Sequence, residues 1–307
     1  MPREQEPMYK YYAFGLNLAS ELEIPELSDA DVNGASDVSI HIEPVAIAHP
    51  TFFYLGMQIC VTPGTFVMEI PDVGRFCVNE GCRISIEPNV GCDLDLLRVY
   101  LLGSIFGALF YQRNYLPLHA NAIVSQGAAF AFAGRSGAGK STLAAYFQKR
   151  GFDVLSDDVC AILFEKSGGC FCQAGLRRLK LRADSLSAIG HDAGKFPKIA
   201  ENLDKFNVPM GGPMPRGAFA LKRIYVLSGT ASSASHRMER LEGADAMNAV
   251  LSNLYRRRFG ELSNPTRMLE QAKLLVRNVE VFAAGRRWGL DRLESEGLRL
   301  ERHVLAG

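Results

Sequence analysis

The chain has 307 residues, 48% of them hydrophobic and 22% charged, with a formal net charge of +1. Such a composition belongs to globular chains with room for two cores, and it excludes long disordered tracts. The near-neutral balance excludes a general nucleic-acid binder, which carries a basic excess over a face or a domain. Seven cysteines without a paired C-x-x-C exclude a zinc ribbon and fit reduced thiols.

The first seventeen residues hold no continuous apolar stretch of signal-peptide type, which predicts a cytoplasmic protein. Over the first ninety residues apolar and polar side chains alternate in short runs, at 38–42, 52–61, 66–70 and 83–86, broken by Pro and Gly. Period-two patterning of this kind predicts a small antiparallel N-terminal β domain over residues 1–90. The turn-rich stretch 87–91 precedes the most apolar run, 94–110, which contains Arg98 and is shorter than the roughly 20 residues of a membrane span. It predicts a buried helix, no membrane partner, and a second domain over residues 91–307.

Next comes an apolar segment at 118–124, a turn at 125–127 and a second apolar run at 128–133, the pattern of a hairpin. With the turn centred between Gln126 and Gly127, His119 lies opposite Gly134. The spacing leaves two roles open for His119, a structural hydrogen-bonder or a participant in chemistry. The residues that follow, Gly134, Arg135, Ser136, Gly137, Ala138, Gly139, Lys140, Ser141 and Thr142, fit G-x-x-x-x-G-K-[ST] between a strand pattern and a helix pattern. Each part has a reason. Glycines let backbone N–H groups converge on phosphate oxygens, the helix N-terminus favours an anion, Lys140 reaches the outer phosphates, and the Ser141 hydroxyl reaches magnesium. ATP with Mg2+ is the implied ligand.

A helix over 140–150 descends about 16 Å, and a strand over 152–156 climbs back a similar distance. A parallel crossover of this shape delivers Asp157 and Asp158 beside Lys140, where carboxylates hold a metal or take a hydroxyl proton. The bland alternative is that the pair caps the next turn. Further on, the basic strip at 177–182 offers Arg177, Arg178 and Lys180 either as a solvated strand face or as a hold on the transferring phosphoryl group or an acidic end of the acceptor. Residues 209–217 have the composition of a lid, 223–227 of a strand, and 228–235 of a Ser/Ala loop. Apolar residues then recur at helical spacing from 244 to about 286, giving two helices around Asn264-Pro265.

The stretch LHANAIVSQGAAFAFAGRSGAGKSTLAAYFQKRGFDVLSDDV, residues 118–159, resembles the catalytic core of the HPr kinase/phosphorylase group. These are bacterial serine kinases whose phosphate-loop fold is related to phosphoenolpyruvate carboxykinase. The His of LHA, the loop, and the DD pair after RG and a short strand carry the resemblance together. It implies an α/β (α+β overall) fold with a P-loop kinase core, and roles in phosphoryl transfer for His119, Lys140 and Asp158. Asp158 would be the proton acceptor and Ser141 a magnesium ligand. Two departures stand out: Thr142 occupies a position where the family has Glu, and no glycine-rich signature with a metal-binding Glu is found near 173–187. Asp157 is left as the second metal ligand.

The opening YYAFGLNLASELEIPEL and the tract GLRRLKLRADSLSAIG with the later DKFNVP look like HPr-kinase-related proteins of lasso-peptide pathways, which phosphorylate the C-terminal serine of a precursor peptide. The implied partner is that peptide. Two other readings stand beside it, a kinase of a small hydroxylated metabolite such as a sugar or free serine, and an ATP-binding regulator that transfers nothing. A homo-oligomer is compatible with all three. No N-K-x-D tract marks a GTPase switch, and no L-S-G-G-Q tract marks a transporter ATPase.

Overall fold

The structure is a computed structural model and describes residues 8–30, 35–46, 52–54, 56–199, 204–211, 215–230, 237–287 and 289–306. Residues 212–214 of the expected lid and 231–235 of the expected Ser/Ala loop lie outside the described residues. The chain divides into two compact units, Met1–Asn114 with Arg256–Pro265, and Tyr115–Tyr255 with Thr266–Gly307.

The first unit is built on a nine-stranded sheet. Its spatial order is Ser28–Asp29, Tyr9–Ala13, Leu16–Ser20, Val38–Ile42, Arg83–Pro88, Gly74–Asn79, Thr65–Ile70, Met57–Thr62 and Phe52–Tyr54. The expectation of a purely antiparallel sheet is corrected here, because Val38–Ile42 runs parallel to both of its neighbours. The seventeen or so residues between Leu16–Ser20 and Val38–Ile42 are enough for the crossover that a parallel pair requires, which a tight turn cannot supply. Elsewhere hairpins dominate, and alternation buries Phe66, Met68 and Ile70 on one face of their strand.

The apolar run forms Leu94–Tyr100, a π-helical turn at Leu101–Ile105, and Phe106–Gln112. Asp93 caps it by accepting from the N–H groups of Asp95 and Leu96. Phe106 and Phe110 meet Phe14 with ring centroids 6.2 and 4.8 Å apart, so the helix covers the first sheet's core and the division falls after Asn114, whereas composition placed it near residue 90. Among the described residues this helix is long and apolar enough to cross a membrane by length and composition, and 61% of its most apolar window is buried inside the protein.

The second unit has a sheet ordered Leu116–Leu118, Cys160–Phe164, Cys170–Cys172, Phe219–Thr230, Ala128–Ala133, Ala120–Ser125 and Asp153–Ser156. Glu280–Arg287 lies parallel to Phe219–Thr230, and Met238–Leu241 pairs antiparallel with it. Ala128–Ala133 is also parallel to Phe219–Thr230. Its side chains from Ala129 to Ala133 are buried on both faces, which explains the continuous apolar run. Phe132 stacks between Phe147 of the helix Lys140–Lys149 and Tyr225, at 5.1 and 5.2 Å. Residues from 280 to about 286, expected as helix, are a strand: it pairs parallel with Phe219–Thr230, and Val281, Phe282 and Ala284 are buried in the sheet. Helices of this unit include Gly243–Ser252, Pro265–Asn278 and Leu293–Leu305, while Arg257–Ser263 belongs to the first unit.

Candidate active site

The hairpin fixes the first catalytic candidate. Ala120 pairs with Ala133 and Ser125 with Ala128, around a turn in which Gln126 and Gly127 have φ of 50° and 76°. His119 stands one residue beyond the last pair, at a bend where its N–H donates to the Asn253 carbonyl at 2.8 Å, and Lys140 bridges its ring to the Gly134 carbonyl. The chain then bends sharply at Gly134, φ 147°, where a Cβ would stand 2.8 Å from the Leu227 carbonyl oxygen. Only glycine lets the loop leave so close to the neighbouring strand. The helix Lys140–Lys149 begins after Gly139, itself left-handed at φ 71°, and its first-turn N–H groups have no partners within the helix.

Lys140 is 7% exposed. Its ammonium donates to the carbonyls of Gly134 at 2.8 Å and Arg135 at 3.2 Å, and lies 3.0 Å from His119 Nε2. Burial lowers its pKa to about 8 against the opposing pull of Asp158 and Asp157. His119 Nδ1 donates to the Asp158 carbonyl at 2.9 Å, which leaves Nε2 as the acceptor for Lys140. Burial first, and the Lys140 charge second, push His119 below its ordinary range, so the ring is neutral at pH 7.

The two aspartates arrive on Asp153–Ser156, which pairs antiparallel with Ala120–Ser125 on the side away from Ala128–Ala133. It therefore runs parallel to Ala128–Ala133 with one strand between them, and it ends where the loop begins. Asp157 is 5% exposed; its Oδ1 accepts the Ser141 hydroxyl at 2.8 Å and its Oδ2 the Lys180 N–H at 2.6 Å. Burial, with Asp158 second, raises its pKa. Asp158 adopts φ 75°, rare for a residue with a Cβ. Its Oδ2 takes Lys180 Nζ at 3.0 Å, and its Oδ1 lies 3.3 Å from His119 Nδ1. Burial would raise this carboxyl, but Lys180 and His119 outweigh it and hold the group ionised, well below the usual carboxylate range. The side chains of both aspartates thus bond Ser141, Lys180 and His119 rather than the N–H groups of the following turn.

A cleft of about 630 Å³ gathers these groups, lined by His119, Asp158 and Lys180 together with Ser136, Gly137, Gly139, Lys140, Ser141 and Thr142 of the loop. Gly134 and Arg135 contribute carbonyls beneath Lys140, and Asp157 acts through Ser141 without lining the cleft. Lys180 stands on the short strand Arg178–Leu181; Arg177 is exposed and Arg178 buried, and neither lines the cleft.

Three cations in the cleft went unmarked in the sequence, Lys205, Arg286 and Arg292. Arg286, the penultimate residue of the strand Glu280–Arg287, donates to the Ala138 carbonyl of the loop and lies against Gly139. Burial lowers its pKa. The carboxyl ends of parallel strands are where open α/β sheets bind ligands, and recognising 280–287 as a strand parallel to the loop strand would have pointed to Arg286. Ser141 and Asp157 fit magnesium by donor chemistry: a hydroxyl and a buried carboxylate already 2.8 Å apart, beside a place for phosphate oxygens.

No protein-family model matches the chain, and no curated protein matches it. Among solved structures it is similar to the Hpr(Ser) kinase/phosphatase from Coxiella burnetii, at 11% identity, covering 62% of this chain and 91% of that one, with a TM-score of 0.31. The likeness is distant, and what the cleft can do rests on its own side chains.

Proposed function

We propose that the chain is an ATP-dependent serine kinase, transferring the γ-phosphoryl group of Mg-ATP to a serine hydroxyl of a peptide, the C-terminal serine of a lasso-peptide precursor. The supporting observation is the convergence of Lys140, His119, Asp158 and Ser141 on one cleft, with Asp157 behind Ser141. The peptide acceptor rests on the resemblance carried by the opening residues and by the tract 175–190.

The chain's own groups divide the work. Loop N–H groups cradle the phosphates, and Lys140 exchanges carbonyl partners for phosphate oxygens, which restores its full positive charge. Asp158 receives the serine proton. A carboxylate of such low basicity suits a loose transition state, in which the nucleophile gives up its proton late and needs orientation more than activation. His119 positions both partners, holding the Asp158 backbone with Nδ1 and Lys140 with Nε2. Ser141 and Asp157 would hold magnesium, whose charge when bound neutralises the β- and γ-phosphate oxygens. Lys180 fixes the Asp158 carboxylate, and Lys205 adds positive charge at the same end.

Mass spectrometry of a synthetic precursor peptide ending in serine, incubated with the protein and Mg-ATP, tests this. A gain of one phosphate on the terminal serine supports the reading. Label appearing on free serine or a sugar with no peptide present supports a metabolite kinase, and tight ATP binding with every acceptor unmodified supports a regulator.

A further inference from the structure

The cleft has a wall that phosphoryl transfer leaves unused. At the transfer end Lys205 acts on His119, Lys140 and Asp158 together. The charges acting on Arg286 are different ones, Glu296 and Arg299, on the helix Leu293–Leu305. That helix and the turn before it, Leu290–Arg292, form the second wall, with the turn packed against the helix Ala183–Ala188. Thr142 ties the loop to this wall, its hydroxyl donating to Ser185 Oγ at 2.9 Å.

The direction of a bound nucleotide follows from the loop. Lys140 takes the outer phosphates and Ser141 the metal, so the α-phosphate and nucleoside leave past Thr142, toward Ser185 and the turn. There the lining changes character. Leu290 is 40% exposed, Leu293 is half-buried with its inner side on the core, and Arg292 stands between them in sequence. Asp184 is exposed and uses Oδ1 to accept the Ser185 N–H at 2.7 Å. Apolar side chains flanked by a guanidinium suit the flat face of a base, and a carboxylate suits a sugar hydroxyl. A cleft of about 630 Å³ has room for more than a triphosphate.

We infer that Leu290 and Leu293 form a nucleobase platform, on which the purine of the bound nucleoside triphosphate lies, with Arg292 at its edge and Asp184 taking a ribose hydroxyl. The platform rests on the nucleotide reading given above, and inorganic tripolyphosphate separates the two. Calorimetry would compare Mg-ATP and magnesium tripolyphosphate on the wild-type protein and on Leu290→Ser, a neutral change at an exposed position.

The expected result is ATP bound at least about tenfold tighter than tripolyphosphate by the wild type, with Leu290→Ser losing most of that advantage and keeping its tripolyphosphate affinity. Retained tripolyphosphate binding also shows that the variant is folded. Equal affinity of the wild type for both ligands, or an unchanged ATP preference in Leu290→Ser, overturns the platform and leaves the phosphate site standing. Failure of the wild type to bind either ligand overturns the platform and the kinase reading together.

Discussion

Asp158 and Lys140 are perturbed in ways that set the pH dependence of the site. Asp158 stays ionised throughout the neutral range, so it gives no limb there. His119, lowered from its ordinary 6.5, is neutral at pH 7, and protonating it would end its acceptance from Lys140 and set two cations side by side. Lys140, with a pKa of about 8, loses its charge as pH rises through that value. The kcat/KM of the free protein is therefore expected to hold level through pH 7, to fall on the acid side as His119 protonates below its ordinary range, and to fall above about pH 8 as Lys140 deprotonates. Lys180→Met removes the main charge lowering Asp158, so the Asp158 carboxyl itself should titrate at higher pH in that variant, read from its carboxyl NMR signal. A rate profile with its alkaline limb near 10, or an Asp158 titration unmoved in Lys180→Met, contradicts these assignments.

Elements decide how those residues meet. The hairpin register was legible, because Gln126-Gly127 leaves one way to pair the two apolar runs, while the bend that turns His119 toward Asn253 just past the last pair has no local signature. The return strand was legible by length alone. The strand Glu280–Arg287 was not: after the helical pattern of Pro265–Asn278 its apolar residues continue without a break, and only its place beside Phe219–Thr230 makes it a strand. Arg286 went unseen for that reason. Replacing Arg286 by Ala strips the Ala138 carbonyl of its partner and removes a cation beside the loop; Mg-ATP affinity measured by calorimetry should weaken by roughly 1.5–3 kcal/mol, about tenfold to a hundredfold. Gly134→Ala meets the Leu227 carbonyl at a φ unsuited to a side chain, and should cost on the order of 1–3 kcal/mol in a denaturant titration. Near-normal affinity in the first variant, or stability in the second, counts against the loop geometry.

At the scale of the whole chain, composition indicated two cores, and the structure divides it into two units whose membership sequence periodicity does not reveal. The helix Leu94–Tyr100 with its continuation follows the first sheet because Phe106 and Phe110 pack on Phe14, a tertiary contact without a local signature. The parallel strand Val38–Ile42 was hidden likewise, since alternation reports which face is buried and not the direction of a neighbour. The cleft itself depends on side chains of one unit only, among residues 115–255 and 266–307.

Transfer of label from γ-labelled Mg-ATP to a serine-ending precursor peptide, by wild type and by Asp158→Asn in parallel, tests the central claim most directly. Asparagine tolerates the left-handed backbone at this position, so the variant isolates the carboxylate. The account predicts labelled peptide with the wild type, and with Asp158→Asn a loss of turnover by about two or more orders of magnitude while ATP binding persists. Equal labelling by the two proteins would contradict it.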